Sequence, residues 1–546
     1  ADYDVKKNGI RKLRYDSLYN QKRKKDSDEI ITERKLSNII SLFQSTLTRS
    51  LTIDEESNMT TDIIIVRAFR YKVFKTLVVD GFENHLGEHY QYFASTAGQI
   101  RNKKSMFIKS SVYKDIKDKL TCGLSVKDIN DKGSMNLNKF NVYTALCNTS
   151  SVPWTDFDIR KSIVVPDFIT TIENAEVDVI DGETYEVYSD KVPVEINHCD
   201  GAGMYLPTVG EENKSFQFRM PFFKGLLCPM PYDKFIEKFG GNPIVKDIYN
   251  DDHDVIKEGI KYIFTESQFK MSRFWESWED YQDAFEEHGC EAAKCKEESD
   301  AFEDKTLNYQ VIQSLNEMER HELEDLSART VDDINKAGND LSTMLRILGA
   351  DDDNLEKYPY QEAINIYPNL VNDPYFREMI KENRKSLIKD AKAGKILLEG
   401  SKRTYIAPDL FAFCERLFLG KDVPNGLLKD GEVSCQLYEK DEKLDVLRSP
   451  HNFREHCLRT NKTDSVVKLY GKDVNINDWF ITNDIFTSTH DLCSKQLMFD
   501  VDGDDALIVS SPLFCSIAER HMVGIKPLEY KLEKATESII SNKNIY

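Results

Sequence analysis

The chain has 546 residues, 40% of them hydrophobic and 11% aromatic, and a formal net charge of −20. Length and apolar content allow roughly two to four domains with sizeable cores, at about 100–200 residues each. The acid excess argues against a protein that coats nucleic acid through a globally basic surface, and with no run of about 18 apolar residues no transmembrane helix is expected.

The opening "ADYDVKKNGIRKLRYDS" holds no apolar signal-peptide core. Residues 1–35 carry a basic cluster, Lys6, Lys7, Arg11, Lys12 and Arg14, then "QKRKKDSDE". It reads as a solvated helix face or arm, with a phosphate-contacting arm as the alternative. From about 36 to 150 helical patterns mix with short strands. Between 160 and 270, runs such as "KSIVVPDF", "SFQFRMPFFKGLL" and "IKYIFTE" are bounded by Gly, Pro and Asp, which predicts a β-rich domain built as a small barrel. The charged, proline-free stretch 272–337 predicts helices, which continue to about 395. A second β-rich stretch follows, with "GKILLEGSKRTYIAP" and "EKLDVLRSP". The expected class is α+β: a mixed N-terminal region 1–155, a first barrel 156–285, a helical connector 286–395, and a second barrel with the start of a helical part over 396–546.

The 11 cysteines lie mostly in apolar segments such as "FAFCERLF". They read as reduced core thiols of a cytoplasmic protein. His288, Cys290 and Cys295 match no standard zinc spacing. No phosphate-binding Gly-Lys-Ser/Thr loop and no Gly-x-Ser-x-Gly elbow is present. "HCDGAGMYLP", with Asp200, Gly201 and Gly203, reads as a barrel turn, with a template or nucleotide contact as the alternative.

The densest chemistry lies in "QLMFDVDGDDALIVSS", where Asp500, Asp502, Asp504 and Asp505 sit between two apolar runs. Residues two apart in an extended segment project to one side. Asp500, Asp502 and Asp504 would therefore converge, and like charge would keep one protonated unless a cation intervened. Oxygen-only ligands suit Mg²⁺, Mn²⁺ or Ca²⁺. An exposed acidic turn between strands is the plain alternative. A calcium-binding EF-hand loop fits poorly, because Asp505 stands where Gly is needed and Ser511 where Glu is needed.

"FDVDGDDA" resembles the Asp-x-Asp-Gly-Asp signature of the two-barrel RNA polymerases. That superfamily includes the multisubunit cellular enzymes, the RNA-dependent polymerases of eukaryotic RNA silencing, and single-chain phage enzymes of the YonO type. "DVLRSPHNFREH" is similar to the family's Arg-x-Pro segment, "FRMPFFKGLLCP" to its Lys-Gly strand, and "IFTESQFKMSRFW" to its second lysine segment. The resemblance implies two double-psi β-barrels. It implies that Asp500, Asp502 and Asp504 hold Mg²⁺ or Mn²⁺, and that Lys224 and Lys270 enter the catalytic site from the first barrel. Arg448 would face the incoming nucleotide, with Pro450 shaping the turn. Lys261 competes with Lys270, and Asp505 receives no role. The family places its bridge and trigger-type helices further on than its metal loop.

The expected function is then a phage-encoded, DNA-directed RNA polymerase of the host cytoplasm, monomeric, with a DNA template, nascent RNA and NTPs as partners and no membrane. An RNA template, as in the silencing enzymes, is the alternative. Two other classes compete. A metal-dependent nuclease would use the acidic loop without needing two lysine segments. A cation-stabilised binding module would bind nucleic acid without turnover.

Overall fold

Strands from widely separated parts of the sequence meet in two β-structures that share one core. The computed structural model describes residues 62–541 and 544, except 150, 211–212, 316, 352–353, 355–356, 450–454 and 531–535. The basic cluster of residues 1–35 and Pro450 lie outside the described residues.

Residues 63–109 form a four-stranded sheet in the order Ile63–Arg67, Lys104–Lys109, His89–Ala94, Phe82–Glu83. Then comes a seven-stranded sheet: Val152–Pro153, Ala293–Glu297, Phe216–Met220, Phe223–Pro229, Ala202–Tyr205, Tyr262–Thr265, Ser162–Val165. Period-two patterning is plain in Phe216–Met220, where Phe216, Phe218 and Met220 are buried and Gln217 and Arg219 are not. Its hairpin partner carries Lys224 opposite Arg219. The helix Trp278–Glu287 covers this sheet, capped by Ser277 accepting from the Asp280 N–H. Trp278 and Tyr281 pack into an aromatic cluster with Phe223, Phe264 and Phe269.

Six strands close into a barrel: Ser401–Pro408, Ile485–Thr487, Glu432–Ser434, Cys457–Asn461, Lys443–Arg448 and Asp505–Val509. Closure is made by Ser401–Pro408 pairing antiparallel with Asp505–Val509. Against the expectation of two closed barrels, the first β-structure is an open sheet among the described residues. Its edge strand Val152–Pro153 is two residues long and ends in proline, which has no N–H to extend a ladder. A second difference concerns Ala293–Glu297, which falls in the stretch expected to be helical. Its sequence, AKCKE, reads as helix-forming, yet it pairs with Phe216–Met220 through a bulge. Tertiary pairing overrides a weak local preference there.

Met204, Leu226 and Ile263 of the sheet share one core with Tyr405, Ala407 and Phe486 of the barrel and with the buried helix Leu410–Leu419. The helices between the two β-structures keep a small core of their own around Leu348, Ile364, Val371 and Ile380. At the far end, Met135 and Ser538 form a β-bridge, and Asn130 donates to the Ile540 carbonyl at 2.9 Å. The last described residues are thus tied to the N-terminal region.

A buried acid pair lies between sheet and barrel. Asp484 is fully buried and accepts from Ser215 Oγ and, at 2.7 Å, from Thr482 Oγ1. Glu298 accepts from the Asn483 N–H at 2.7 Å. Burial first, then the Glu298 and Asp505 charges, push Asp484 up to about 7, against the hydrogen bonds from Ser215 and Thr482. Unfolded, the group would titrate near 4. The folded chain therefore binds the extra proton between those values, and stability contributed by it falls as pH rises from about 4 to about 7. Urea midpoints measured across that interval should fall less steeply in Asp484→Asn than in the parent; identical slopes would show that this carboxyl is not the source.

Candidate active site

The helix Cys493–Leu497 ends at Met498, whose φ of 52° turns the chain out of helical register. In the loop that follows, Phe499 and Val501 are buried while Asp500 is exposed. Alternation therefore anchors the apolar residues in the barrel core and leaves the acids on the outer side. The loop is held by groups from both β-structures. Val501 N–H donates to the Asp200 carbonyl at 3.1 Å and Asp504 O accepts from Ile406 N–H at 3.0 Å. Gln217 Nε2 donates to the Gly503 carbonyl at 2.7 Å. Gly503 has φ 114°, and a Cβ there would overlap the Gln217 side chain, so glycine is required on both counts.

Basic side chains close on the acids. Lys224 Nζ pairs with Asp502 Oδ2, joining the lysine strand of the sheet to the acidic loop of the barrel. Arg448 places Nε 3.0 Å and Nη2 2.9 Å from Asp504 Oδ2, and its Nη1 donates to the Met498 carbonyl at 2.7 Å. Lys296, from the strand that was expected to be helix, lies 2.8–2.9 Å from both oxygens of Asp505. Asp505 therefore has a structural partner that the sequence did not reveal.

Lys270 is turned onto the Ser267 carbonyl. Burial lowers its pKa, Lys224 lowers it further, and Asp200 and Asp502 oppose both. Its ammonium thus stands in the same electrostatic neighbourhood as Lys224 and the acids. Lys261 sits elsewhere, 3.7 Å from Asp156. Burial raises the Asp504 pKa, with Arg448 opposing and Asp502 adding.

Asp200 is the residue that sequence reasoning undervalued. Burial, and then the Asp500 charge, push it up to about 6, with Lys270 opposing. The turn that presents it is built tightly. Gly201 N–H donates to Ser267 Oγ at 2.7 Å, and Gln268 Nε2 donates to the Gly201 carbonyl at 3.1 Å and to Leu226 O at 2.9 Å. Gly201 has φ 83°, and a Cβ there would stand 3.0 Å from Asp502 Cα and overlap Asp502 Cβ. The run Asp-Gly-Ala-Gly was the available signal, since two glycines flanking one residue mark close backbone approach.

The donor set fits a hard divalent cation: it is oxygen only, anionic, and crowded enough that burial and like charge raise the pKa of Asp504 and Asp200. Among the described residues, no three acidic, His or Cys side chains already converge as a cage. Asp502 faces Lys224 and Asp504 faces Arg448 instead. A cation held by Asp500, Asp502 and Asp504 would take over neutralisation that these two basic residues supply.

Comparison with known proteins adds three findings. A family model described as RNA dependent RNA polymerase matches residues 39–458, a range that contains Lys224, Lys270 and Arg448 and ends before the acidic loop. The chain is 45% identical over 539 residues to the "DNA-directed RNA polymerase YonO" of Bacillus phage SPbeta, covering 99% of this chain and 60% of that protein. The chain thus spans about 60% of the length of that relative. In fold it is similar to the RNA dependent RNA polymerase QDE-1 from Thielavia terrestris, with a TM-score of 0.51 and 13% identity, covering 87% of this chain and 51% of the other.

Proposed function

The chain belongs to the RNA dependent RNA polymerase family, and from that premise we propose that it carries the catalytic core of a template-directed RNA polymerase. In this reading the template is DNA, the gene is phage-borne, the substrates are NTPs and a growing RNA 3′-hydroxyl, and the enzyme works as a monomer in the host cytoplasm. Among the described residues, no helix is long and apolar enough to cross a membrane. The DNA template and phage origin rest on the similarity to the SPbeta protein. The reading also takes the open sheet and the closed barrel as the two members of a double-psi pair.

The observation that carries the proposal is the Lys224–Asp502 ion pair, which brings a cation of one β-structure onto the acidic loop of the other. Nucleotidyl transfer spreads negative charge over non-bridging phosphate oxygens, with attacking and leaving oxygens in line. Lys224 and Lys270 supply fixed positive charge where that charge grows. Arg448, held by Asp504 and the Met498 carbonyl, offers its guanidinium edge to a phosphate or to ribose hydroxyls. Asp500, Asp502 and Asp504 would hold Mg²⁺ or Mn²⁺, which when bound would supply Lewis-acid stabilisation of the charge that develops on phosphate. Asp200 adds a carboxylate from the opposite β-structure and keeps Lys270 oriented by charge.

The second reading, an RNA template, is favoured by the description of the matching family. Labelled NTPs, Mg²⁺ and either DNA or RNA templates separate the two: RNA synthesis confined to RNA templates would overturn the DNA assignment. Lys224→Met should lower nucleotide addition roughly 10²- to 10³-fold, the scale of losing one preorganised charge at a transition state. Metal-dependent strand cleavage that survives Lys224→Met, with no synthesis in the parent, would point to a nuclease instead.

A further inference from the structure

We propose that the helical unit between sheet and barrel is a docking surface for single-stranded nucleic acid outside the catalytic cleft. The partner class rests on the polymerase reading; the surface itself rests on charge and aromatic exposure.

The helix Pro374–Lys392 carries six basic residues, Arg377, Lys381, Arg384, Lys385, Lys389 and Lys392, against three acids. All six are exposed. At about 100° per residue they fall within an arc of about 140°, forming one stripe along a helix roughly 28 Å long. Glu378 is the one acid of this helix inside that arc. In a chain of net charge −20 such a stripe is a local reversal of sign, and local potential governs encounter with a polyanion.

The stripe is not consumed by internal pairing. Lys381 meets Glu378 at 3.1 Å and Lys385 meets Glu382 at 2.6 Å, both exposed pairs three residues apart. Such pairs contribute little and exchange readily for phosphate. Arg384 spends its Nε on the Ile334 carbonyl at 2.7 Å. Among the described residues, Lys389 and Lys392 enter no ion pair with an acid.

An independent observation specifies single strands. Tyr358, Tyr367 and Tyr375 are 66%, 57% and 65% exposed within one short stretch of the same unit. Tyr358 stacks on Tyr360 at 6.0 Å with planes 5° apart. Tyr375 stands on the first turn of the basic helix, about 40° outside the arc of its six basic residues, and exposed aromatic faces joined to a basic track are a usual means of holding unpaired bases, since every base has a π-face and the backbone is anionic. The unit has its own core around Leu348, Ile364 and Ile380, separate from the core that sheet and barrel share.

The test is anisotropy of a labelled 20-nucleotide strand across a KCl series, on the parent, on Lys385→Glu/Lys389→Glu/Lys392→Glu, and on Tyr358→Ala/Tyr375→Ala. Losing three phosphate contacts should flatten the slope of log affinity against log salt by about 2. The tyrosine variant, losing two stacking contacts, should bind about 30-fold more weakly or worse at every salt concentration with the slope unchanged. An unaltered slope and affinity in charge-reversed protein of native circular dichroism would overturn the proposal. So would tighter binding to a duplex of the same length, or a change in sedimentation behaviour showing that the stripe joins two copies of the chain. Strand binding with both dependences in a protein that never adds nucleotides would uphold the surface and refute the polymerase reading. Normal nucleotide addition with unaltered binding would do the reverse.

Discussion

Asp502→Asn is expected to reduce nucleotide addition by roughly 10³-fold or more, on the scale of removing charge stabilisation from a preorganised site, while leaving the protein folded. Asp502 is central to the loop: it receives Lys224 from the sheet, and its main chain faces Gly201. Asparagine preserves the shape and removes the charge. Lys224 then loses its partner but its side chain is 30% exposed, so the stability loss should stay near 1 kcal/mol or below, as for a partly solvated pair. Single-turnover incorporation in Mg²⁺, with thermal melting alongside, measures both effects. A rate within tenfold of the parent would remove Asp502 from the chemistry and leave it a structural acid.

Gly201→Ala should be nearly as severe, by displacement rather than by charge. Its φ of 83° is strained for alanine, at about 1–2 kcal/mol. The added Cβ would also overlap Asp502 Cβ, so the acidic loop must retreat and the Val501 N–H to Asp200 O bond must lengthen. A shift of about 1 Å in a reacting group costs on the order of 10² in rate. Gly240→Ala is the control, because φ there is 70° but a Cβ meets nothing within 4 Å. It should show strain alone, lowering the melting temperature without slowing catalysis. Equal rate losses in the two variants would mean that the tight approach at Gly201 does not set the site.

The acidic loop was legible as a local pattern, and the Lys-Gly strand and the arginine segment through their resemblance to a family's segments. Asp-x-Asp-Gly-Asp between apolar runs can be read without knowing what faces it, whereas Lys224 and Arg448 are picked out by the resemblance of their segments to a family and not by their own local pattern. What was hidden depends on contacts across hundreds of residues. Gln217 reaches Gly503, Lys296 reaches Asp505, and Asp200 is brought beside Asp500, and no periodicity encodes such meetings. Ala293–Glu297 escaped for the same reason: its composition favours a helix, and the neighbouring strand decides otherwise. Whether a β-rich stretch closes or stays open is also settled by edge pairing, which the hydrophobic pattern does not report.

The bond between Lys224 and Asp502 spans roughly 280 positions of chain. At about 5–20 residues per second, a ribosome delivers the aspartate some 15–55 s after the lysine. For that interval the emerging sheet presents Lys224 and Lys270 without the loop whose Asp502 later pairs with the first and stands near the second. Residues 536–540, which fasten onto the N-terminal region, are made later still. Assembly of the cleft is therefore a late event of synthesis, and truncated products should lack both its acids and its closing strap.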